Sequence, residues 1–144
     1  VKEVKITNDN SADEIAKRSR GTPRIANRLL RRVRDYCQVK NYGNLQLDIV
    51  TESLDKEGVD SLGLDRLDRI YLNTLYNSYQ GGPAGIQALS ATVNEDQQTL
   101  EDVVEPFLLK IGFLVRTSQG RKITNKGILH LGYTIDDNIQ GKLV

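Results

Sequence analysis

Apolar residues recur along most of this chain at helical spacing and switch to strand-like spacing only near residue 113. Ile25, Leu29, Val33 and Cys37 stand four apart, with Ala26, Leu30 and Tyr36 beside them, which is the buried stripe of an amphipathic helix. Thr22 is its expected cap. Pro23 is its expected first residue, where a missing N–H costs nothing because first-turn N–H groups have no helical acceptor. Gly21 separates this helix from a shorter one running from an Asn10 or Ser11 cap to about Ser19. Residues 49–57, closed by Gly58, read as a third helix, and Val1, Val4 and Ile6 as a short apolar stub before the first. Asp60 to Leu64 (DSLGL) is turn-like, and divides the chain into a helical unit, 1–62, and a second unit, 63–144.

In the second unit Leu67, Ile70, Tyr71, Thr74, Leu75 and Ser78 mark a helix over about 65–79. Gly81-Gly82-Pro83 turns the chain into a short helix near 86–92. Asn94 is the expected cap of the next helix, with Gln97 three residues on as in a capping box. Leu100, Val103, Val104, Phe107, Leu108 and Ile111 then follow one helical face. Pro106 falls inside that run and is expected to kink the helix or split it in two. Phe113 to Thr117 is a strand, Ser118-Gln119-Gly120 a tight turn and Arg121 to Thr124 the return strand. Thr124 or Asn125 caps a last helix to about Leu131. Three helices followed by a hairpin form the winged-helix variant of helix-turn-helix, so the fold class is mainly α with one small wing.

Charge changes this picture more than composition does. The 144 residues carry a net charge of only +1, but cations and acids are segregated. Nine cations lie between Lys17 and Lys40 against one acid, Asp35. Five acids and no cation lie between Glu95 and Glu105, and five cations and no acid between Lys110 and His130. Two separate anion-facing surfaces are therefore expected. The 38% hydrophobic fraction reads as a globular protein, and no apolar run approaches the roughly 20 residues that span a bilayer. With one cysteine, Cys37, there is no internal disulfide, and its apolar helical position makes it a small core residue. The chain begins at Val1 and contains no Met, which suggests a fragment or a processed product.

Catalytic signals are missing. There is no Gly-rich loop ending in Gly-Lys-Ser/Thr, no Asp-Glu pair after an apolar strand to hold Mg²⁺, and no nucleophile–base pair. His130, the only histidine, has no second ligand with which to share a metal. The positive signals are ionic. Arg24 lies in a helical first turn beside a Gly turn, a plausible phosphate contact. Arg116 and Arg121 flank the hairpin turn, which places them near the tip, clear of the helices, where a polyanion could be met.

Two stretches carry a resemblance. SRGTPRIANRLLRRVRDY, Ser19–Tyr36, resembles the start of the lid subdomain in the RuvB family of AAA+ ATPases. GGPAGIQALSATVNEDQQTLEDVVEPFLLKIGFLVRTSQGRKIT, Gly81–Thr124, is similar to that family's winged helix in its GGP turn, its TxEDVxEP stretch, its GFLxRT strand and its GR turn. The match runs from about Ser11 to Leu131 and combines both motifs in order. It implies a small AAA+ helical lid, 1–62, followed by a winged-helix DNA-binding domain, 63–144. It further implies that Arg24 is the sensor-2 arginine reaching the γ-phosphate, and that Arg116 and Arg121 are the DNA-contacting wing arginines. A third position, basic in some family members, falls here on Gln97, which keeps at most a neutral phosphate contact.

The implied function is that of the C-terminal part of an ATP-driven motor for Holliday-junction branch migration. In the intact protein the resemblance implies ATP and Mg²⁺, a homohexameric ring on duplex DNA, a RuvA tetramer engaged through the large ATPase subdomain, RuvC in the resolving complex and a bacterial cytoplasm. Cleavage of ATP and the RuvA contact belong to that other subdomain, so this chain alone is expected to be inactive. Charge adds an expectation of its own. A recognition helix bearing Glu95, Asp96, Glu101, Asp102 and Glu105 would be repelled from a groove lined with phosphates, so the wing should hold the backbone without reading bases. A free-standing winged-helix regulator would need a basic recognition helix. A winged helix used for protein contact would instead employ the acidic one as its binding face.

Overall fold

A computed structural model of the chain describes residues 5–6, 9–41 and 44–135. The chain divides into two compact units, Val1–Arg66 and Leu67–Val144. Among the described residues no helix is long and apolar enough to cross a membrane.

In the first unit α1 (Asp9–Lys17), α2 (Pro23–Asn41) and α3 (Leu47–Lys56) pack together, and β1 (Lys5–Ile6) runs parallel to β2 (Asn44–Leu45). The i+4 stripe of α2 is the core it promised. Leu29, Val33 and Cys37 are buried with Ile15, Val50, Leu54 and Val59. Pro23 does open α2, whose first bond runs from the Ala26 N–H to the Thr22 carbonyl at 2.9 Å. Arg20 and Gly21 take positive φ (61° and 70°) to make the break before it. Helix α1 starts at Asp9, so Asn10 and Ser11 lie inside its first turn and not at its cap. Val1 and Val4 of the expected stub lie outside the described residues. Helix α3 closes as the Gly58 signal predicts: the Gly58 and Val59 N–H groups bond back to Asp55 and Leu54, a Schellman closure that folds buried Val59 onto the helix it ends.

The second unit is built from α4 (Arg66–Asn77), α5 (Ile86–Val93), α6 (Gln97–Thr99), α7 (Glu105–Lys110) and α8 (Asn125–His130) around one hairpin, β3 (Leu114–Thr117) and β4 (Gly120–Ile123). Between α6 and α7 the helix passes through a π-turn, Leu100–Val104. Buried Tyr71, Leu89, Leu108, Phe113, Leu114, Ile123 and Ile128 show that nearly every element contributes to the interior. Thr124 is the cap of α8, its hydroxyl accepting from the Gly127 N–H at 3.2 Å. Ile70, expected on the stripe of α4, is half-exposed, and Leu72 is buried in its stead.

One local expectation is corrected here, and one is met in a particular form. Asn94 does not cap the third helix; it closes α5 in the left-handed conformation (φ 60°), which an Asn tolerates better than most residues. The cap of α6 is Asp96, whose carboxylate accepts from the Thr99 N–H at 3.2 Å. Pro106 stands in the first turn of α7, where the run of helix passes from a π-turn into a new α-helical segment, so the regular α-helix is interrupted just ahead of it, as expected. The π-turn ahead of it widens the coil, the Glu105 N–H bonds to the Leu100 carbonyl, and helical dihedrals continue into α7. One extra residue in that turn moves the neighbours of Leu100 from i+3 and i+4 to i+4 and i+5. Val103 is therefore turned out (53% exposed), while Val104 and Glu105 are turned in.

Candidate nucleic-acid interface

The hairpin pairs Leu114 with Ile123, Val115 with Lys122, Arg116 with Arg121 and Thr117 with Gly120. Successive side chains in a strand alternate between faces, so the Arg116–Arg121 pair shares its face with the buried Leu114–Ile123 pair and lies one step nearer the turn. That step carries it from the core to the edge of the core. Ser118 and Gln119 form the tip. The Thr117 hydroxyl donates to the Gly120 carbonyl at 2.8 Å. Gly120 has φ 135°, and a Cβ there would meet the Ala84 carbonyl at 2.6 Å, so no side chain fits at this position. Ala84 adds a short third rung: its N–H and carbonyl bond the carbonyl and N–H of Arg121 at 2.9 and 2.8 Å. Arg121 is thus on the central strand of the wing and Arg116 on the outer one.

Two guanidinium groups directly opposite one another repel, and a buried carboxylate stands between them. Glu105, 0% exposed, accepts from Arg116 Nη2 at 3.0 Å on Oε1. It accepts from Arg121 Nε at 2.8 Å on Oε2 and from Arg121 Nη2 at 3.3 Å on Oε1. The Tyr71 hydroxyl, reaching from α4, donates to Oε2 at 2.5 Å. Burial by itself would push this carboxyl up, but the Arg121 fork, the Tyr71 hydroxyl and Arg116 together outweigh it and hold it below the usual carboxylate value. The Tyr71 hydroxyl is pushed well above its ordinary value by burial and by donating to Glu105. The Arg121 guanidinium is raised by its bonds to Glu105. Two cations and one anion leave the cluster with a net charge of +1.

The wing arginines are therefore not clear of the helices, as the hairpin turn alone suggested; both reach back to α7. Period-two alternation puts them on the core-facing side, and the π-turn supplies the carboxylate. Their exposure differs: the Arg116 side chain is 49% exposed and the Arg121 side chain 18%. Part of Arg121 lines an open groove of about 380 Å³ between the hairpin turn and the start of α5. Gln97 opens α6 and is half-buried, its amide donating to Glu101 at 3.1 Å. Of the five acids expected on the recognition helix, Asp96 and Asp102 are exposed, Glu95 and Glu101 are partly so, and Glu105 faces inward.

In the first unit Arg24 stands exposed in the first turn of α2, and Arg28, Arg31 and Arg32 are exposed further along the helix. Arg18, counted among the cations of that anion-facing surface, is instead buried. Its Nε bonds Glu14 at 2.8 Å, and its Nη1 bonds Asp55 at 2.8 Å and the Val59 carbonyl at 2.9 Å. Sequence reading missed Tyr71 and the structural roles of Arg18 and Glu105. The alternation Leu114–Arg116 and Arg121–Ile123 was the available sign that the arginines needed a partner underneath.

A helical unit followed by three helices and a β-wing defines the class: a lid-type helical unit joined to a winged-helix domain. Two family profiles match in that order, the RuvB AAA lid domain over residues 2–60 and the RuvB C-terminal winged helix domain over 61–132. The chain belongs to the RuvB family. It is 56% identical over 127 residues to the Holliday junction branch migration complex subunit RuvB of Fusobacterium nucleatum subsp. nucleatum, covering 88% of this chain and 38% of that protein. It is 51% identical over 131 residues to the protein of the same name from Rippkaea orientalis, covering 91% and 36%. It superposes on the solved Thermotoga maritima RuvB Holliday junction branch migration motor with a TM-score of 0.87 and 46% identity, over 92% of this chain and 44% of that one. The chain thus spans less than half the length of the relatives it matches.

Proposed function

We propose that this chain is the lid and DNA grip of an ATP-driven motor that migrates Holliday junctions, with the lid over 1–62 and the winged helix over 63–144. The observation that carries the DNA half is the arginine pair at the outer end of the wing, with a net charge of +1 and one member half-exposed, beside a helix whose outward charges from Asp96 to Asp102 are acidic. Such a surface holds phosphate and does not read bases, because acids on the recognition helix repel it from a phosphate-lined groove. A translocating motor needs contacts of this kind, ionic and indifferent to sequence at every step.

The lid half rests on Arg24. Its exposed place in the first turn of α2 suits a guanidinium that meets an anion supplied from outside this chain, as a sensor for the γ-phosphate would. ATP and Mg²⁺ would be held mainly by the large ATPase subdomain, which lies outside this chain; of the residues described here Arg24 alone is assigned to the nucleotide. The intact protein would work as a homohexamer on the duplex arms of the junction in the bacterial cytoplasm, with RuvA bound through that subdomain and RuvC joining the resolving complex. Gln97, tied to Glu101, would add at most a neutral phosphate contact.

The test is a fluorescence titration of the chain against two duplexes of unrelated sequence over a range of salt. The two affinities should agree within about twofold and fall together as salt rises, the signature of counterion release. A clear preference for one duplex, or binding that ignores salt, contradicts the proposal.

A further inference from the structure

Asp60 to Leu64 has the polar, Gly-containing composition of a flexible linker, and it leads directly into Asp65 and the start of α4. The chain instead folds this connector onto the corner between α1 and α2. The Asp60 carboxylate accepts from the Leu62 and Leu64 N–H groups, each at 3.0 Å, and the Asp60 N–H donates to the Leu64 carbonyl at 2.9 Å. Leu64 is buried. Buried Arg18 holds the near end, its Nη1 donating to the Val59 carbonyl at 2.9 Å. Gly63 lies so close against the corner that a Cβ there would meet the Arg18 carbonyl oxygen and Arg20 Cγ, each at 3.1 Å. The Arg20 side chain, 10% exposed, runs on to Asp65, with Nη1 3.7 Å from Oδ2. The other side of the same corner is the start of α2. Arg20 and Gly21 turn the chain with positive φ, and the Thr22 N–H bonds the Ser19 carbonyl at 3.1 Å. Arg24 follows in the first helical turn.

We infer that residues 18–21 are a coupling element: Arg18 and Arg20 position the connector so that an anion drawn to Arg24 displaces the residues leading into α4. The inference deepens the proposed nucleotide-sensing role of Arg24 and rests on it. A free linker would absorb a shift at the start of α2, because each loose residue relaxes by its own dihedrals. This connector cannot relax in that way, since its backbone bonds and its glycine close on the corner or on each other. Arg20 has little room to adjust either, being a non-glycine residue in the small left-handed region. A contiguous run of bonded and packed groups of this kind is what carries a displacement from one place to another.

The experiment follows amide chemical shifts of the 144-residue chain by NMR as inorganic triphosphate is added, for the parent, Arg24→Ala, Asp65→Asn and Gly63→Ala. In the parent the amides of Thr22, Arg24 and Ile25 and those of Leu62 and Leu64 should shift with a common midpoint. In Arg24→Ala the connector amides should stay still. In Asp65→Asn and Gly63→Ala the α2 amides should shift as in the parent while the connector amides lose most of their response, a split that a purely structural clamp does not produce. Asp65 is 40% exposed and its ion pair is long, so Asp65→Asn keeps the fold and carries the comparison alone should Gly63→Ala, strained at φ 91°, fail to fold. Connector amides that never respond while α2 does, that respond in Arg24→Ala, or that respond undiminished in either connector variant overturn the inference. Failure of the underlying reading looks different: triphosphate moves no amide at the start of α2, or moves them equally in Arg24→Ala, and the inference falls with it.

Discussion

Each unit of this chain is organised around a buried ion cluster, and the two clusters have opposite polarity. In the first unit the buried member is a cation, Arg18, its side chain 5% exposed, and one of its acids, Asp55, is 64% exposed. In the second the buried member is an anion, Glu105, and one of its cations, Arg116, is half-exposed. One arginine with two acids leaves a spare negative charge, and one glutamate with two arginines leaves a spare positive charge. Whichever partner is desolvated is committed to structure; the partner at the surface remains available. An arginine count along the sequence cannot see this distinction. Arg18 contributes nothing to an anion-facing surface, whereas Arg116, in the same kind of network, still can.

The comparison is broken most severely by stripping the buried anion of both cations. Arg116→Ala/Arg121→Ala leaves Glu105 enclosed with only the Tyr71 hydroxyl, and an uncompensated buried charge costs about 3–5 kcal/mol. Urea denaturation should show that loss, and amide exchange should place it in the second unit. Arg18→Ala should cost less, about 2 kcal/mol, because exposed Asp55 returns to water and the loss is mainly that of charge-assisted bonds to Glu14, Asp55 and the Val59 carbonyl; amide exchange should place it in the first unit. The smallest effect is that of acid. Glu105 is held below its unfolded value, so its contribution is fully present above the unfolded carboxylate range, about pH 4.3, and is lost as pH falls through its folded value. Thermal unfolding of the second unit should be flat in this contribution at neutral pH and weaken in acid, and Glu105→Gln should remove that part of the acid response. An unchanged acid response in Glu105→Gln would show that another carboxylate governs it.

The elements were largely legible in the pattern of residues. The four-residue stripe of α2, Pro23 at its start, the Gly58 closure of α3, the hairpin over 114–123 and the Thr124 cap all rest on contacts within a few residues, and local sequence carries such contacts. Local sequence is ambiguous where a distant partner decides. Asn94 reads as an opening cap because Ser, Thr, Asn and Asp serve both ends of loops, and only the path of the chain selects the left-handed closure of α5. Pro106 marks the place where the helix is interrupted, but a single sequence does not announce that the interruption is a π-turn.

What the sequence determined by itself is the order of elements, the segregation of charge and the residues of the wing, because spacing and side-chain chemistry are properties of the chain. What only the tertiary structure decided is which charges are spent. Rotation of the helix by one inserted residue turned Val103 out and Glu105 in, and with that turn two arginines that look alike in the sequence became one mostly covered and one half-exposed partner of the same carboxylate. The physical reason is desolvation. The cost of burying a charge depends on the groups that surround it in three dimensions, and for Glu105 these come from α4 and from both strands of a hairpin more than ten residues away in the chain.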